Sequence, residues 1–188
     1  MFDINVNLIL GQRVHGVVNG VFYAILSLGV AIIFGLLGVI NFAHGVFFML
    51  GAFVAYALLE FLGLGYWPAL ILVPLIVGAF GILTEVFLIR HLYRLEHLYG
   101  LLLTLGLALA IEGFIRIAFG PQGLPYAIPD NLRGAVNLGF MFLPYYRAWV
   151  VIAGIIICFV TWCVIEQTPL GAKLRAATAN PQMVQAFG

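Results

Sequence analysis

Charged residues are scarce in this sequence: Asp, Glu, Lys and Arg make up 8% of its 188 residues, whereas 64% are hydrophobic. A soluble globular domain carries about a quarter charged residues. This scarcity excludes a soluble domain and indicates an integral membrane protein. The formal net charge is only +1, which argues against a nucleic-acid partner.

Cysteines and metal-binding motifs are equally sparse. The two cysteines, Cys158 and Cys163, lie in one apolar segment. A spacing of five puts them on different faces of a helix, which favours neither a disulfide nor a metal pair. The sequence contains no His-Glu-x-x-His motif, no paired carboxylates within an apolar segment and no Ser/His arrangement. We therefore predict no metal site, no cofactor and no enzymatic chemistry.

Apolar runs dominate what remains. Roughly 20 apolar residues cross the hydrocarbon core as a helix, so these runs predict an all-α, polytopic membrane bundle with about five spans. The predicted spans are residues 14–40, 42–62, 69–89, 99–119 and 148–165.

The segments between the spans are short, with one exception. Residues 1–13 are mildly amphipathic, and we expect them to lie at the interface before the first span. Residues 63–68 read as a turn, in which Tyr66 and Trp67 are interfacial anchors. The connector 120–147 contains four prolines and reads as an ordered or semi-ordered surface loop. The polar stretch 166–188 cannot span.

One polar interruption divides the first two spans: Asn41-Phe42-Ala43-His44-Gly45. Asn41 can cap the second helix, His44 can hydrogen-bond across helices, and Gly45 allows close packing. Two interpretations remain open. The interruption is either a tight hairpin at the membrane interface or a helix break beside a translocation path, because non-helical backbone at membrane depth needs cover from protein or water.

Other polar residues lie within the predicted spans. Asn19, Tyr23 and Thr104 are candidates to line a path, although each alone is more often a contact between helices. Glu112 and Arg116 are four residues apart on the fourth span, so we expect an intramembrane ion pair.

Two stretches together resemble one known family. The first contains Ile40-Asn41-Phe42-Ala43-His44-Gly45 with Met49 and Gly51 downstream, and the second is the pattern Gly171-x-x-x-Arg175-Ala176 followed by Asn180-Pro181. Both are similar to the permease subunits of branched-chain amino acid ABC importers, of the LivH type. The chain departs at Val46, where many relatives carry Glu. Because the family continues with further spans, the chain resembles its N-terminal portion, and residues 1–165 would be an incomplete transmembrane permease domain.

The resemblance implies that residues 166–188 are a cytoplasmic segment that couples the permease to an ATPase. Small residues would sit in a groove of the ATPase, with Lys173 and Arg175 as charged anchors. The implied coupling residues are Gly171, Lys173, Arg175, Ala176, Ala177, Asn180 and Pro181.

The resemblance also implies the partners and the orientation. The partners would be a second, LivM-like permease, two cytoplasmic ATPase subunits, a periplasmic substrate-binding protein and the lipid bilayer. The protein would be a multi-pass component of the bacterial inner membrane, with its N-terminus outside and residue 188 in the cytoplasm. The basic residues are divided four against four between the two sides, so the positive-inside rule alone does not decide the orientation.

The implied function is ATP-driven import of branched-chain amino acids. Permeases for urea, short amides or other amino acids are the nearest alternatives. A stand-alone channel or secondary transporter would need an inverted repeat or a chain of intramembrane charges, and neither is evident.

Overall fold

The computed structural model of the chain describes residues 6–36, 40–92 and 95–179. Its helices are α1 (Val6–Val30), which continues into a π-helical segment (Ala31–Leu36), α2 (His44–Leu62), α3 (Tyr66–Phe87), α4 (His97–Phe119), α5 (Tyr145–Gln167) and α6 (Pro169–Ala179). Short 3₁₀ turns cover Ile89–Leu92 and Asp130–Leu132, and two short strands, β1 (Ala135–Asn137) and β2 (Phe142–Pro144), pair antiparallel.

The all-α bundle prediction is confirmed. In the described part of the chain, five helices are long and apolar enough to cross a membrane: Val6–Gly35, His44–Leu62, Tyr66–Leu92, Leu98–Phe119 and Tyr145–Gln167. Helices of this kind satisfy their own backbone hydrogen bonds in lipid, except at Pro74 inside α3, which lacks an N–H.

Several predicted boundaries were wrong. Residues 6–13 are not a segment separate from the first span, because α1 begins at Val6 and runs through Arg13 without a break; residues 1–5 of the predicted interfacial segment lie outside the described residues. No proline interrupts this stretch, and long polar side chains near a helix end can reach the headgroups. The turn predicted to extend to Pro68 ends earlier, since α3 starts at Tyr66. A proline fits the first helical turn, whose N–H groups have no partner within the helix.

The long connector holds more structure than the predicted loop. It contains the β1–β2 hairpin, in which Val136 pairs with Leu143, and Gly139 occupies the turn with a φ of 82°. Strands of three residues are too short to show a period-2 pattern, so the sequence could not predict them.

The chain divides into two compact units. The first unit comprises Met1–Val39 and Asp130–Gly188. Within it α1 packs along α5, and the two helices approach closely at Gly154, whose position faces Val21 and Ile25 of α1. Near one end of the same helix pair, the guanidinium of Arg147 lies 2.9 Å from Nδ1 of His15.

The second unit comprises Ile40–Pro129. Here α2 packs against α3 and, less extensively, α4. Aromatic rings make several of these contacts: Phe47 meets Phe80 at 5.9 Å between ring centroids, and Phe53 meets Phe119 at 5.2 Å. Offset and edge-on ring contacts add to the dispersion forces that hold helices together in lipid.

Candidate functional site

The interruption between the first two spans is a short turn that leads directly into α2. Within the described residues, Ile40 to Ala43 are non-helical and α2 begins at His44. The Asn41 side-chain oxygen accepts a hydrogen bond from the Ala43 N–H at 2.9 Å, and the Asn41 carbonyl accepts one from the His44 N–H at 3.3 Å. Asn41 thus closes an Asx turn just before the helix.

Two details of the predicted break need correction. His44 and Gly45 belong to the first turn of α2 and are not part of the break. The residue that precedes the helix is Ala43, and no side chain caps α2. Asn41 therefore stabilises the start of the helix from three residues before His44 and is not its N-cap.

Thr104 of α4 contacts this turn. Its Oγ1 accepts a hydrogen bond from the Phe42 N–H at 3.3 Å and donates one to the Leu101 carbonyl at 3.1 Å. Thr104 is 2% exposed and Ala43 is fully buried. Part of the non-helical backbone is thus covered by protein, namely the Phe42 N–H and Ala43, whereas the residues Ile40 and Phe42 are exposed. The structure brings Thr104 and Asn41 together at one turn, a proximity that their 63-residue separation concealed.

Asn19 and Tyr23 lie in the other unit, on α1. They are four residues apart and so share one side of the helix, and Ser27 follows at the same interval. Val21 is two residues from both, which places it on the opposite side, where it faces Gly154 of α5. Tyr23 is 71% exposed. This side of α1 therefore presents polar groups away from α5.

The junction of α5 and α6 is the second candidate site. Thr168 separates the two helices, and its Oγ1 donates to the Val164 carbonyl and accepts from the Gly171 N–H at 3.3 Å. Pro169 opens α6. A Thr N-cap followed by a proline at the first helical position is a favoured helix start. The sequence carried this signal, although Thr168 was not among the predicted site residues.

The predicted coupling residues divide between two sides of α6. Gly171 is buried against the end of α5, and Arg175 donates a hydrogen bond to the Ile165 carbonyl. Lys173 and Ala176 are exposed. Ala177 lies in the helix but its side chain is outside the described set, and Asn180 and Pro181 fall outside the described residues.

The predicted ion pair lies within a single helix. Arg116 Nη2 is 2.7 Å from Glu112 Oε1, and both side chains are about half exposed. The two opposite charges on α4 thus neutralise each other, and among the described residues neither side chain has a further ionic partner. Among the described residues, no group of three or more His, Cys, Asp or Glu side chains could hold a metal ion.

One tyrosine in the long connector has an unusual environment. The Tyr126 hydroxyl is buried and finds no hydrogen-bond partner among the described residues. Burial raises the pKa of this phenol above its ordinary value of 10.0, and the nearby Tyr66 raises it further. This proximity could not be predicted from the sequence, because the two tyrosines are 60 positions apart.

Comparison with known proteins gives consistent results. Residues 13–188 match the model of a family described as the branched-chain amino acid transport system permease component. The chain is 26% identical over 190 residues to the high-affinity branched-chain amino acid transport system permease protein BraD of Pseudomonas aeruginosa, a match that covers 95% of this chain and 62% of BraD.

Two further relatives are the LivH permease proteins of the same kind of system. The Escherichia coli K12 protein is 25% identical over 142 residues and the Salmonella typhimurium protein 25% identical over 138 residues; each match covers 69% of this chain and 44% of the relative. The chain thus spans at most about three fifths of the length of these relatives. No solved structure matches it.

Proposed function

Since the chain belongs to the family of branched-chain amino acid transport system permease components, we propose that it is the membrane subunit of an ATP-driven importer for branched-chain amino acids. The observation that carries this proposal is the family match over residues 13–188, which includes all five spans apart from the start of α1. The subunit would form the translocation path together with a second permease.

The coupling role is assigned to α6. This helix has 11 residues, too few to cross a membrane, and it follows the last span after a single residue. A short helix fixed at the end of a span is suited to receive a displacement from a soluble partner. We assign two ATPase subunits to this side, which makes α6 cytoplasmic and the N-terminus extracytoplasmic.

Two regions are assigned to the path. The side of α1 that carries Asn19 and Tyr23 exposes polar groups together with the apolar Val30, so it fits a hydrated conduit or the second permease. The turn at Asn41, covered by Thr104, gives a second polar point. Neither region contains an ionised group, as suits a passage for substrates with apolar side chains.

Selection of the substrate is assigned mainly to a periplasmic binding protein. The relatives are named for branched-chain amino acids, and leucine, isoleucine and valine are accordingly the first candidates. Urea and short amides are alternatives that the same assay distinguishes.

The test is reconstitution of the chain into proteoliposomes with the second permease, the ATPases and the binding protein of its own system. We expect uptake of labelled leucine that requires ATP and the binding protein and is inhibited by orthovanadate. Competition by unlabelled isoleucine, valine and urea then defines the substrate class. Uptake that continues without ATP would contradict the importer and favour a channel or a secondary transporter.

A further inference from the structure

The junction of α5 and α6 at Thr168, called the elbow below, supports an inference about Arg175. This inference rests on the proposed function only for the identity of the subunit that α6 contacts. We propose that Arg175 is a positioning residue, an internal brace that fixes α6 to the end of α5 so that the two helices move as one body. The ATPase would then contact the opposite side of α6.

The first observation is the set of groups that hold the Arg175 side chain. Its guanidinium donates to the Ile165 carbonyl in the last turn of α5, where helix carbonyls lack partners within the helix. It also lies 3.4 Å from the Glu166 carboxylate. The negative end of the α5 dipole and a carboxylate thus act on the same cation. Charge-assisted hydrogen bonds of this kind are roughly twice as strong as neutral ones.

The second observation is the close approach at Gly171. A Cβ atom at this position would overlap the backbone of Ile165. Only glycine lets α6 come this close to α5. The Gly171 N–H is in addition bound by Thr168 Oγ1. Backbone contact, capping and the Arg175 side chain therefore all restrict the same elbow.

The third observation is the distribution of residues around α6. Lys173 is two positions from both Gly171 and Arg175, so it points to the opposite side of the helix. Leu170 and Ala176 are three positions from Lys173 and share its side. All three are exposed, with Leu170 at 60%. An exposed leucine beside a lysine and small residues fits a groove with an apolar floor and an acidic rim.

A brace has a mechanical consequence. α6 also contacts the π-helical segment Ala31–Leu36 at the end of the first span. A displacement imposed on α6 would reach α5 through the brace and α1 through this contact, since packed elements shift between discrete arrangements and do not deform continuously. Without the brace, α6 could follow the ATPase while α5 stays in place, and ATP would be hydrolysed without transport.

The first arm of the test needs no partner subunit. Spin labels are placed at Ile152 and Ala176 of a variant without native cysteines, and distances are measured by double electron–electron resonance in nanodiscs. Ile152 is exposed and lies about 20 Å along α5 from Ile165, which suits the method. We expect one narrow distance peak for the parent and for Lys173→Gln. Arg175→Gln should increase the population of displaced α6 by about tenfold, the usual effect of losing a hydrogen bond to a charged group.

The second arm uses the reconstituted importer. Arg175→Gln should keep its ATPase subunits and their hydrolysis but transport several-fold less leucine per ATP, and Arg175→Lys should restore part of the loss. Lys173→Gln should instead weaken ATPase binding. Because Arg175 is 40% exposed, Arg175→Gln leaves no buried charge unpaired and the chain should still fold. Gly171→Ala provides a second disturbance of the elbow, with the same expected broadening.

The outcomes separate the two proposals. A narrow, parent-like distance peak in Arg175→Gln overturns the brace. A parent-like peak together with loss of ATPase binding would in addition assign Arg175 to the partner surface. Failure of the unmutated chain to bind any ATPase refutes the proposed function, while the distance measurement still decides the brace.

Discussion

The contact between α1 and α5 at Gly154 offers the sharpest test of the packing described above. A Cβ at Gly154 would overlap Val21 Cγ1 and lie 3.0 Å from Ile25 Cδ1. The Ile25 atom is at the end of a flexible side chain and can move aside. Val21 cannot, because a β-branched residue in a helix has essentially one χ1 rotamer. Gly154→Ala should therefore push the two helices apart.

The size of the effect follows from two opposing terms. Inserting a methyl group into a well-packed contact costs about 1–3 kcal/mol. Replacing glycine by alanine within a helix stabilises the helix by up to about 1 kcal/mol, because alanine has the higher helix propensity. The difference is a loss of roughly 0–2 kcal/mol in the free energy of unfolding, and the overlap with Val21 places the expectation for Gly154→Ala near the upper value.

The assay is unfolding of the purified chain in bicelles by steric trapping, which gives free energies under native conditions. The matched control is Gly78→Ala in α3, where an added Cβ meets nothing within 4 Å and a small gain in stability is expected. In the double variant with Val21→Ala the clash disappears, so the two effects should be non-additive by about 1 kcal/mol or more. A neutral Gly154→Ala, or strictly additive effects in the double variant, would refute the described contact.

Three other changes test separate parts of the chain. Thr104→Val leaves the Phe42 N–H without its acceptor and should cost about 1–3 kcal/mol in the free energy of unfolding, measured in the same assay. Tyr126→Phe removes a buried hydroxyl without a partner in the described chain and should raise thermal stability slightly. Because the pKa of this phenol is raised in the folded state, the unfolded chain ionises first, so the parent should lose stability as the pH rises above about 10 while Tyr126→Phe loses less. Because Glu112 and Arg116 lie in the span Leu98–Phe119, Glu112→Gln should cost more than the roughly 1 kcal/mol of an exposed pair, as measured by unfolding in bicelles, and a smaller cost would contradict an intramembrane pair.

Hydropathy was enough to predict the number of spans but not their ends. The five apolar runs each hold a helix, because in lipid an apolar segment of sufficient length has no competing structure. The ends depend on finer terms. α1 begins at Val6 and α3 at Tyr66, because the first turn of a helix tolerates the polar and proline residues that predict a boundary at these places.

For the candidate sites as well, the sequence predicts the location but not the contacts. The run Asn41-Phe42-Ala43-His44-Gly45 was recognisable as an interruption and as a family feature, yet its contact with Thr104 depends on how α4 packs. For α6, the Thr168-Pro169 start was readable from the sequence. The contacts of Arg175 with Ile165 and Glu166 could not be predicted, because a long side chain can reach its own protein or a partner. The close approach of α6 to α5 at Gly171 favours the contacts within the chain.

The uneven lengths of the spans have a consequence for the surrounding lipid. The first span, Val6–Gly35, has 30 residues and a length of about 45 Å, whereas α2 has 19 residues and a length of about 28 Å. A hydrocarbon core of about 30 Å matches α2 but is too thin for an upright first span. That helix must tilt strongly or project into the headgroups. Bilayer thickness therefore acts on the first helix, whose tilt is also constrained by its packing along α5, and lipid composition becomes a variable that acts on the same helix as the proposed partner contacts.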